Sequence, residues 1–246
     1  MTVLDVKRIH RIEVSSTNTY VKELLTAGVE LPELTLVDAD FQTGGRGQQQ
    51  NVWESEADKN LLFSFLCHPT FLPATHQFVL SQTIAVAVYR TLSDLTEGIS
   101  IKWPNDIYWN DRKICGTLIE CNLMGSTIKD CIIGTGINVN QTEFRSDAPN
   151  PVSLAQITGF TFNRQQILNR VVEEFSELYK AINPDALKSE YMQHLYRREG
   201  FHPYQEPNGE PFEAAIEDVE PMGHLVLRLR DGSIRKYEFK EIKYIL

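Results

Sequence analysis

The amino-acid sequence predicts an α+β fold built on a mixed, largely antiparallel sheet with helices, followed by a small all-β unit. Three observations carry that expectation. Four strand-like segments, SIKWP, DIYW, KICGTLIECN and IKDCIIGTGINVN, follow one another from Ser100 to Asn140 through the turn signals Asn110-Asp111 and Gly125-Ser126, which favours hairpins over crossover helices. Long helical periodicity is confined to stretches beginning near Ala74 and Asn163. After Arg198 the pattern changes to strong alternation around Asp231-Gly232, a hairpin signal, so the chain divides into residues 1–198 and 199–246.

From the start of the chain, IHRIEVSSTNTYVKELLTAG reads as a short strand, a Ser/Thr/Asn cluster that caps a helix, and an amphipathic helix with Tyr20, Val21, Leu24 and Leu25 on its apolar side, ended by Gly28. ELTLVDAD is a strand leading into FQTGGRGQQQNVWES, and NLLFSFLCH is apolar enough for a buried strand, so a glycine-rich loop joins two core strands. A single helix from Ala74 to about Thr96 places Leu80, Ile84, Val88 and Leu95 on one face to cover the sheet. In NRQQILNRVVEEFSELYKAI, Asn163 is the N-cap and Ile167, Val171, Phe175 and Leu178 form a stripe; a further helix starts at Asn183-Pro184.

A chain of 246 residues with 42% hydrophobic content buries one substantial core. With 33 acidic and 24 basic residues its formal charge is -9, which argues against nucleic acid as a partner. Cys67, Cys115, Cys121 and Cys131 make no C-x-x-C pair and the histidines are scattered, so a structural zinc site has little support. The N-terminal residues lack the apolar core of a signal peptide, and nothing approaches the ~20 apolar residues of a membrane span. These features predict a cytoplasmic protein with reduced thiols and no membrane partner.

Four constellations could carry chemistry. The loop at Gly44, Gly45, Arg46 and Gly47 completes neither the P-loop nor the G-x-G-x-x-G template; it offers a permanent planar cation between glycines with Trp53 a few residues on, either a ligand clamp or a flexible loop. In KWPNDIYWNDRK, Pro104 stiffens the turn carrying Asn105 and Asp106, and a hairpin at Asn110-Asp111 brings Lys113 back towards Lys102; this suits a phosphate-bearing ligand with Mg²⁺, or is an ordinary polar turn. Period-two alternation places Ile114, Gly116 and Leu118 on one strand face and Gly134, Gly136 and Asn138 on another, so either a ligand or a bulky helix side chain approaches the sheet closely. The run Ser15-Ser16-Thr17-Asn18 caps a helix or binds a polar ligand head.

In their order along the chain, SSTNTY, FQTGGRG leading to Trp53, KWPNDIYWNDRKICGTLIE and IIGTGINVN resemble the biotin protein ligases over about residues 9 to 160. The resemblance implies a catalytic domain related to class II aminoacyl-tRNA synthetases plus a small SH3-like barrel. It implies an enzyme that activates biotin with MgATP to biotinyl-5'-AMP and passes it to a lysine of a biotin carboxyl carrier domain. By motif position Ser16, Thr17, Asn18, Gln42, Gly45, Arg46, Gly47, Lys113, Gly116 and Leu118 would hold biotin. Arg46, Gln48, Trp53, Lys102, Asn105 and Asn138 would hold ATP or the adenylate; Arg46, Lys102, Asp106 and Lys113 would act in catalysis, with Asp106 towards Mg²⁺. Gln48 stands where the family usually has arginine and Gln50 where it has glycine or a small residue, which implies weaker adenylate retention. The resemblance begins within the first dozen residues, leaving no room for a helix-turn-helix repressor domain. A homodimer along a sheet edge stays open, as do a lipoate or octanoate ligase and a non-catalytic biotin-binding module.

Overall fold

The computed structural model describes residues 6–47, 52–146 and 150–246. Seven strands form one sheet in the order β1-β2-β3-β7-β6-β5-β4: β1 (Arg8–Val14), β2 (Thr35–Gln42), β3 (Leu61–Cys67), β4 (Ile99–Lys102), β5 (Asp106–Trp109), β6 (Arg112–Met124) and β7 (Thr127–Ile137). Only β1 and β2 run parallel; the other five pairings are antiparallel, and short turns dictate three of them, β4–β5, β5–β6 and β6–β7.

The two faces of the sheet are covered differently. Helix α1 (Thr17–Thr26) lays Tyr20, Val21, Leu24 and Leu25 on Leu66 and Ile132. Helices α2 (Phe78–Ser93), α4 (Arg164–Lys180) and α5 (Pro184–Gln193) pack the opposite face, where Phe65 stacks on Phe175 with centroids 4.3 Å apart. A short helix α3 (Leu154–Thr158) lies between, begun by a capping box of Ser153 and Gln156. Asn163 caps α4 through Gln165 and Gln166, as its position before the apolar stripe predicts.

The C-terminal strands β8 (His202–Gln205), β9 (Phe212–Val219), β10 (Leu225–Leu229), β11 (Ile234–Tyr237) and β12 (Lys243–Tyr244) form a second sheet in the order β11-β10-β9-β8-β12. The β10–β11 hairpin turns at Gly232, φ +85°, with Asp231 accepting from Ser233 N–H. Its apolar side continues the main core through Tyr204, Ile216 and Leu225. Polar contacts fasten it: Trp103 Nε1 donates to the Gly223 carbonyl at 2.9 Å and Arg198 to the Ile216 carbonyl at 2.9 Å. No helix among the described residues is long and apolar enough to cross a membrane.

Three expectations need correction. The helix predicted from Ala74 to about Thr96 is a 3₁₀ turn, Ala74–His76, followed by α2, because Pro73 bridges Thr127 and the Ala74 N–H bonds the Ser126 carbonyl. The Ser16 side chain makes no cap bond; the Thr17 N–H is satisfied by Gln42 Oε1 at 2.8 Å, so the cap comes from β2. Ile114 does not share a face with Gly116. The β5–β6 register slips between Ile107 and Tyr108, placing Ile107 opposite Cys115 but Tyr108 opposite Lys113. The extra residue, Ile114, turns into the helix-covered core beside Cys115.

Candidate functional site

That bulge builds the site. In an unbroken strand Lys113 and Gly116, three residues apart, would point to opposite faces; with Ile114 bulged, both look into one cavity. The cavity holds about 650 Å³, within the range of small-molecule sites, and opens on the α1 side of the sheet. Ser16, Thr17 and Asn18 from the start of α1, Gln42 from the end of β2, Arg46, Gly47 and Trp53 from the loop, Asn105 and Asp106 before and at the start of β5, and Lys113, Gly116 and Leu118 of β6 line it.

One end is a polar cluster held from below. Ser64, the single polar residue within the strand LLFSFLC, has its Oγ 2.7 Å from Thr17 Oγ1 and 2.6 Å from Asn18 Oδ1. Asn18 donates to Glu120 Oε2 at 2.9 Å, and Lys22 donates to Glu120 Oε1 at 2.6 Å. Arg46 Nη2 lies 3.5 Å from the same carboxylate. Burial opposes the charge on Glu120, yet the bonds from Lys22 and Asn18 outweigh it and hold the carboxyl below its usual range.

Glycines make the floor. Opposite Ser64 in the ladder stands Gly134, and a methyl there would meet Asn18 Oδ1 at 2.1 Å. Gly116 and Gly136 pair in register, and a methyl on Gly136 would lie 2.4 Å from the Trp53 ring. The close approach that the glycines announce is therefore made by an α1 side chain at Gly134 and by the loop indole at Gly136.

The other end is charged. Lys113 Nζ donates to Asp106 Oδ2 at 2.7 Å and lies 5.9 Å from the Trp53 ring centroid. Asn105 is 4% exposed and its Oδ1 has no partner among the described residues, so a buried acceptor remains to be satisfied at this end. Phe239 of the C-terminal unit closes the wall, its ring 5.8 Å from that of Trp103.

Some predicted residues stand elsewhere. Gly45 sits behind the wall, where a methyl would meet the Trp53 carbonyl at 2.5 Å. Lys102 is outside the lining: its Nζ lies 4.6 Å from the Tyr244 ring centroid and 5.2 Å from that of Tyr108, and burial pulls its pKa down against the field of Asp106. Asn138 also stands behind, donating to the Val152 carbonyl at 3.1 Å. Lys102 is thus half-buried against the C-terminal unit, and Asn138 braces the segment after β7. Gln48 and Gln50 lie outside the described residues.

Sequence reasoning missed Ser64, Glu120, Lys22 and Phe239. A serine flanked by apolar residues in a buried strand was a usable signal, and Glu120 closes the motif KWPNDIYWNDRKICGTLIE. Lys22 is one solvated-looking helix lysine among others, and Phe239 reaches the cavity from more than a hundred residues away.

Residues 11–138 match the biotin/lipoate A/B protein ligase family. The chain is 35% identical to the bifunctional ligase/repressor BirA of Bacillus spizizenii over 179 residues, 70% of this chain and 53% of that protein. It thus spans about half the length of this curated relative. Over 222 residues it is 23% identical to the biotin–[acetyl-CoA-carboxylase] ligase of Mycobacterium tuberculosis, covering 87% and 80% of the two. The biotin protein ligase of Aquifex aeolicus, solved in complex with biotin and ATP, superimposes with a TM-score of 0.79 at 26% identity, covering 97% of this chain and 99% of that one.

Proposed function

The chain belongs to the biotin/lipoate A/B protein ligase family, and from that membership we propose that it is a biotin protein ligase. It joins biotin to ATP as biotinyl-5'-AMP with release of pyrophosphate. It then passes the biotinyl group to the ε-amine of a lysine on a biotin carboxyl carrier domain. One observation carries the reading: a single cavity has a polar end at Ser16, Thr17 and Gln42, an apolar stretch at Leu118 and Trp53, and a cationic end at Lys113, with Arg46 on the lining beside Glu120. That sequence of surfaces suits a ligand with a polar ring, an aliphatic tail and a carboxylate. The likeness to an Aquifex ligase holding biotin and ATP supports it.

In this reading Ser16, Thr17, Asn18 and Gln42 hold the ring, with Gly47 and Gly116 close to it. Arg46 and Lys113 hold first the carboxylate and then the phosphate. Each is engaged by an acidic side chain before the ligand arrives, Arg46 by Glu120 and Lys113 by Asp106. An incoming anion competes for the same ammonium group and so releases Asp106. The carboxylate oxygen attacks the α-phosphorus and pyrophosphate leaves. Lys113 and Arg46 accelerate the step to the extent that they bind its transition-state oxygens more tightly than the ground state. Released Asp106 is the carboxylate on the lining able to take the proton that the attacking lysine must lose. Trp53 offers a stacking face to the adenine, and Asn105 a buried acceptor to the nucleotide.

Among the described residues no group of three His, Cys, Asp or Glu side chains could hold a metal ion. One carboxylate, Asp106, fits Mg²⁺ carried mainly by ATP oxygens. Bound there, the ion would neutralise phosphate charge.

The finer fold reading belongs with this function: a class II aminoacyl-tRNA synthetase-like catalytic domain over 1–198 and an SH3-like unit over 199–246, in a cytoplasmic protein. Incubation with ATP, labelled biotin and a carrier domain, with lipoate in parallel, tests it. Label on the carrier lysine from biotin is the expected result. Transfer of lipoate without biotin would make the chain a lipoate ligase, and binding of biotin without transfer a regulatory module.

A further inference from the structure

Away from the cavity, three of the four cysteines fall on one line across the sheet. Cys67 of β3 stands opposite Cys131 of β7, and Cys131 opposite Cys121 of β6. All three side chains belong to the core beneath α2 and α4. Directly opposed residues of an antiparallel pair have Cα atoms about 4.5–5.5 Å apart, inside the ~4.4–6.8 Å that a disulfide tolerates. The Cys121 and Cys131 side chains meet sulfur to sulfur.

Access differs along the line. Cys67 and Cys131 are buried, whereas Cys121 is half-exposed. The reason lies in the ladder. β5 pairs with β6 only between Arg112 and Cys115, so further along β6 the outer edge has no strand partner among the described residues. Cys121 is reached from that edge, and Cys131 through Cys121.

We propose that Cys121 and Cys131 form a thiol-modification site for low-molecular-weight disulfides, with Cys121 the entry nucleophile and Cys131 the resolving thiol. The Cys121 thiolate attacks one sulfur of R–S–S–R, forming Cys121–S–S–R and expelling RS⁻. The Cys131 sulfur, having lost its proton, then attacks Cys121 Sγ, closing the Cys121–Cys131 bond and expelling a second RS⁻. Two electrons pass from the protein dithiol to R–S–S–R, and the two cysteine protons convert both RS⁻ to RSH.

Local electrostatics favours this order. The hydrogen bond from Cys131 lowers the pKa of Cys121 against its burial, while that same bond, with burial added, pushes Cys131 well up. Neither cysteine belongs to the ligand cavity, so the inference stands apart from the ligase reading. Its site nevertheless adjoins Glu120, the carboxylate that holds Asn18 and Lys22.

The test treats the full chain with oxidised glutathione and follows intact mass and tryptic peptides sequenced by fragmentation, cleavage after Lys129 separating Cys121 from Cys131 and fragmentation distinguishing Cys121 from Cys115 on the same peptide. Wild type should lose two hydrogens and join the peptide holding Cys121 to the one holding Cys131. Cys131→Ala should stop at one glutathione adduct on Cys121, and Cys121→Ser should react about tenfold more slowly or less, since buried thiols are inert. A stable glutathione adduct on wild type, a Cys67–Cys131 or Cys115–Cys131 link, or an unchanged rate in Cys121→Ser would overturn the proposal. Peptide mapping of the wild type needs no variant to fold.

Discussion

Gly134→Ala should unsettle the polar end of the cavity by one methyl group. Its Cβ would lie 2.1 Å from Asn18 Oδ1 and 2.7 Å from Asn18 Cγ. Asn18 is 2% exposed and tied on both sides, to Glu120 Oε2 at 2.9 Å and to Ser64 Oγ at 2.6 Å. Displacing it gives up one bond to a charged group, about 1.5–3 kcal/mol, and one neutral bond, about 0.5–1.5 kcal/mol. The alanine returns about 0.4–1 kcal/mol by restricting the unfolded chain. The balance is a destabilisation of about 2 kcal/mol, read as a lower urea midpoint at unchanged slope. In an Asn18→Ala background the obstructing amide is gone, and the same substitution should be close to neutral, a coupling of about 2 kcal/mol across the pair. A Gly134→Ala protein within about 0.5 kcal/mol of wild type, or equally destabilised in both backgrounds, would mean that Asn18 is not what the methyl displaces.

Lys113→Met removes the cation that the bulge aims into the cavity and should slow biotin-dependent pyrophosphate release about 10²–10³-fold with the fold retained by circular dichroism; a rate near wild type would remove Lys113 from the reaction. Glu120 is held below its usual 4.5 by Lys22 and Asn18 despite burial, so its stabilising effect is complete above that value and disappears as pH falls through the lowered pKa. Wild type should therefore lose more stability than Glu120→Gln between about pH 6 and about pH 3, and parallel pH profiles would contradict the linkage. Phe239→Ala takes away a wall contributed by the C-terminal unit and should raise KM for ATP or biotin by about 2- to 10-fold, the weight of one aromatic contact, with little change in Tm. A lowered Tm with unchanged KM would make Phe239 a packing residue only.

Much of the architecture is legible because it follows from local chemistry. The turn residues Asn110-Asp111 and Gly125-Ser126 impose the antiparallel order of four strands, and Asn163 and Pro184 start two helices where capping requires. The motifs also name most of the residues that line the cavity. What the sequence does not reveal depends on tertiary partners. Period two puts Ile114 with Gly116, and a register slip against β5 reverses that, bringing Lys113 to the ligand side. Ser16 has the composition of a cap, but Gln42 supplies the bond from a neighbouring strand. The ammonium group of Lys102 lies over the ring of Tyr244, a residue at the far end of the chain that no local pattern connects to it.

In the proposed reaction this cavity activates biotin with ATP before any carrier domain binds. Biotin-dependent exchange of labelled pyrophosphate into ATP, measured without any carrier domain and with lipoate as the parallel acid, tests it most directly. Exchange with biotin that is abolished in Lys113→Met is expected. No exchange with biotin, or exchange with lipoate alone, would contradict it.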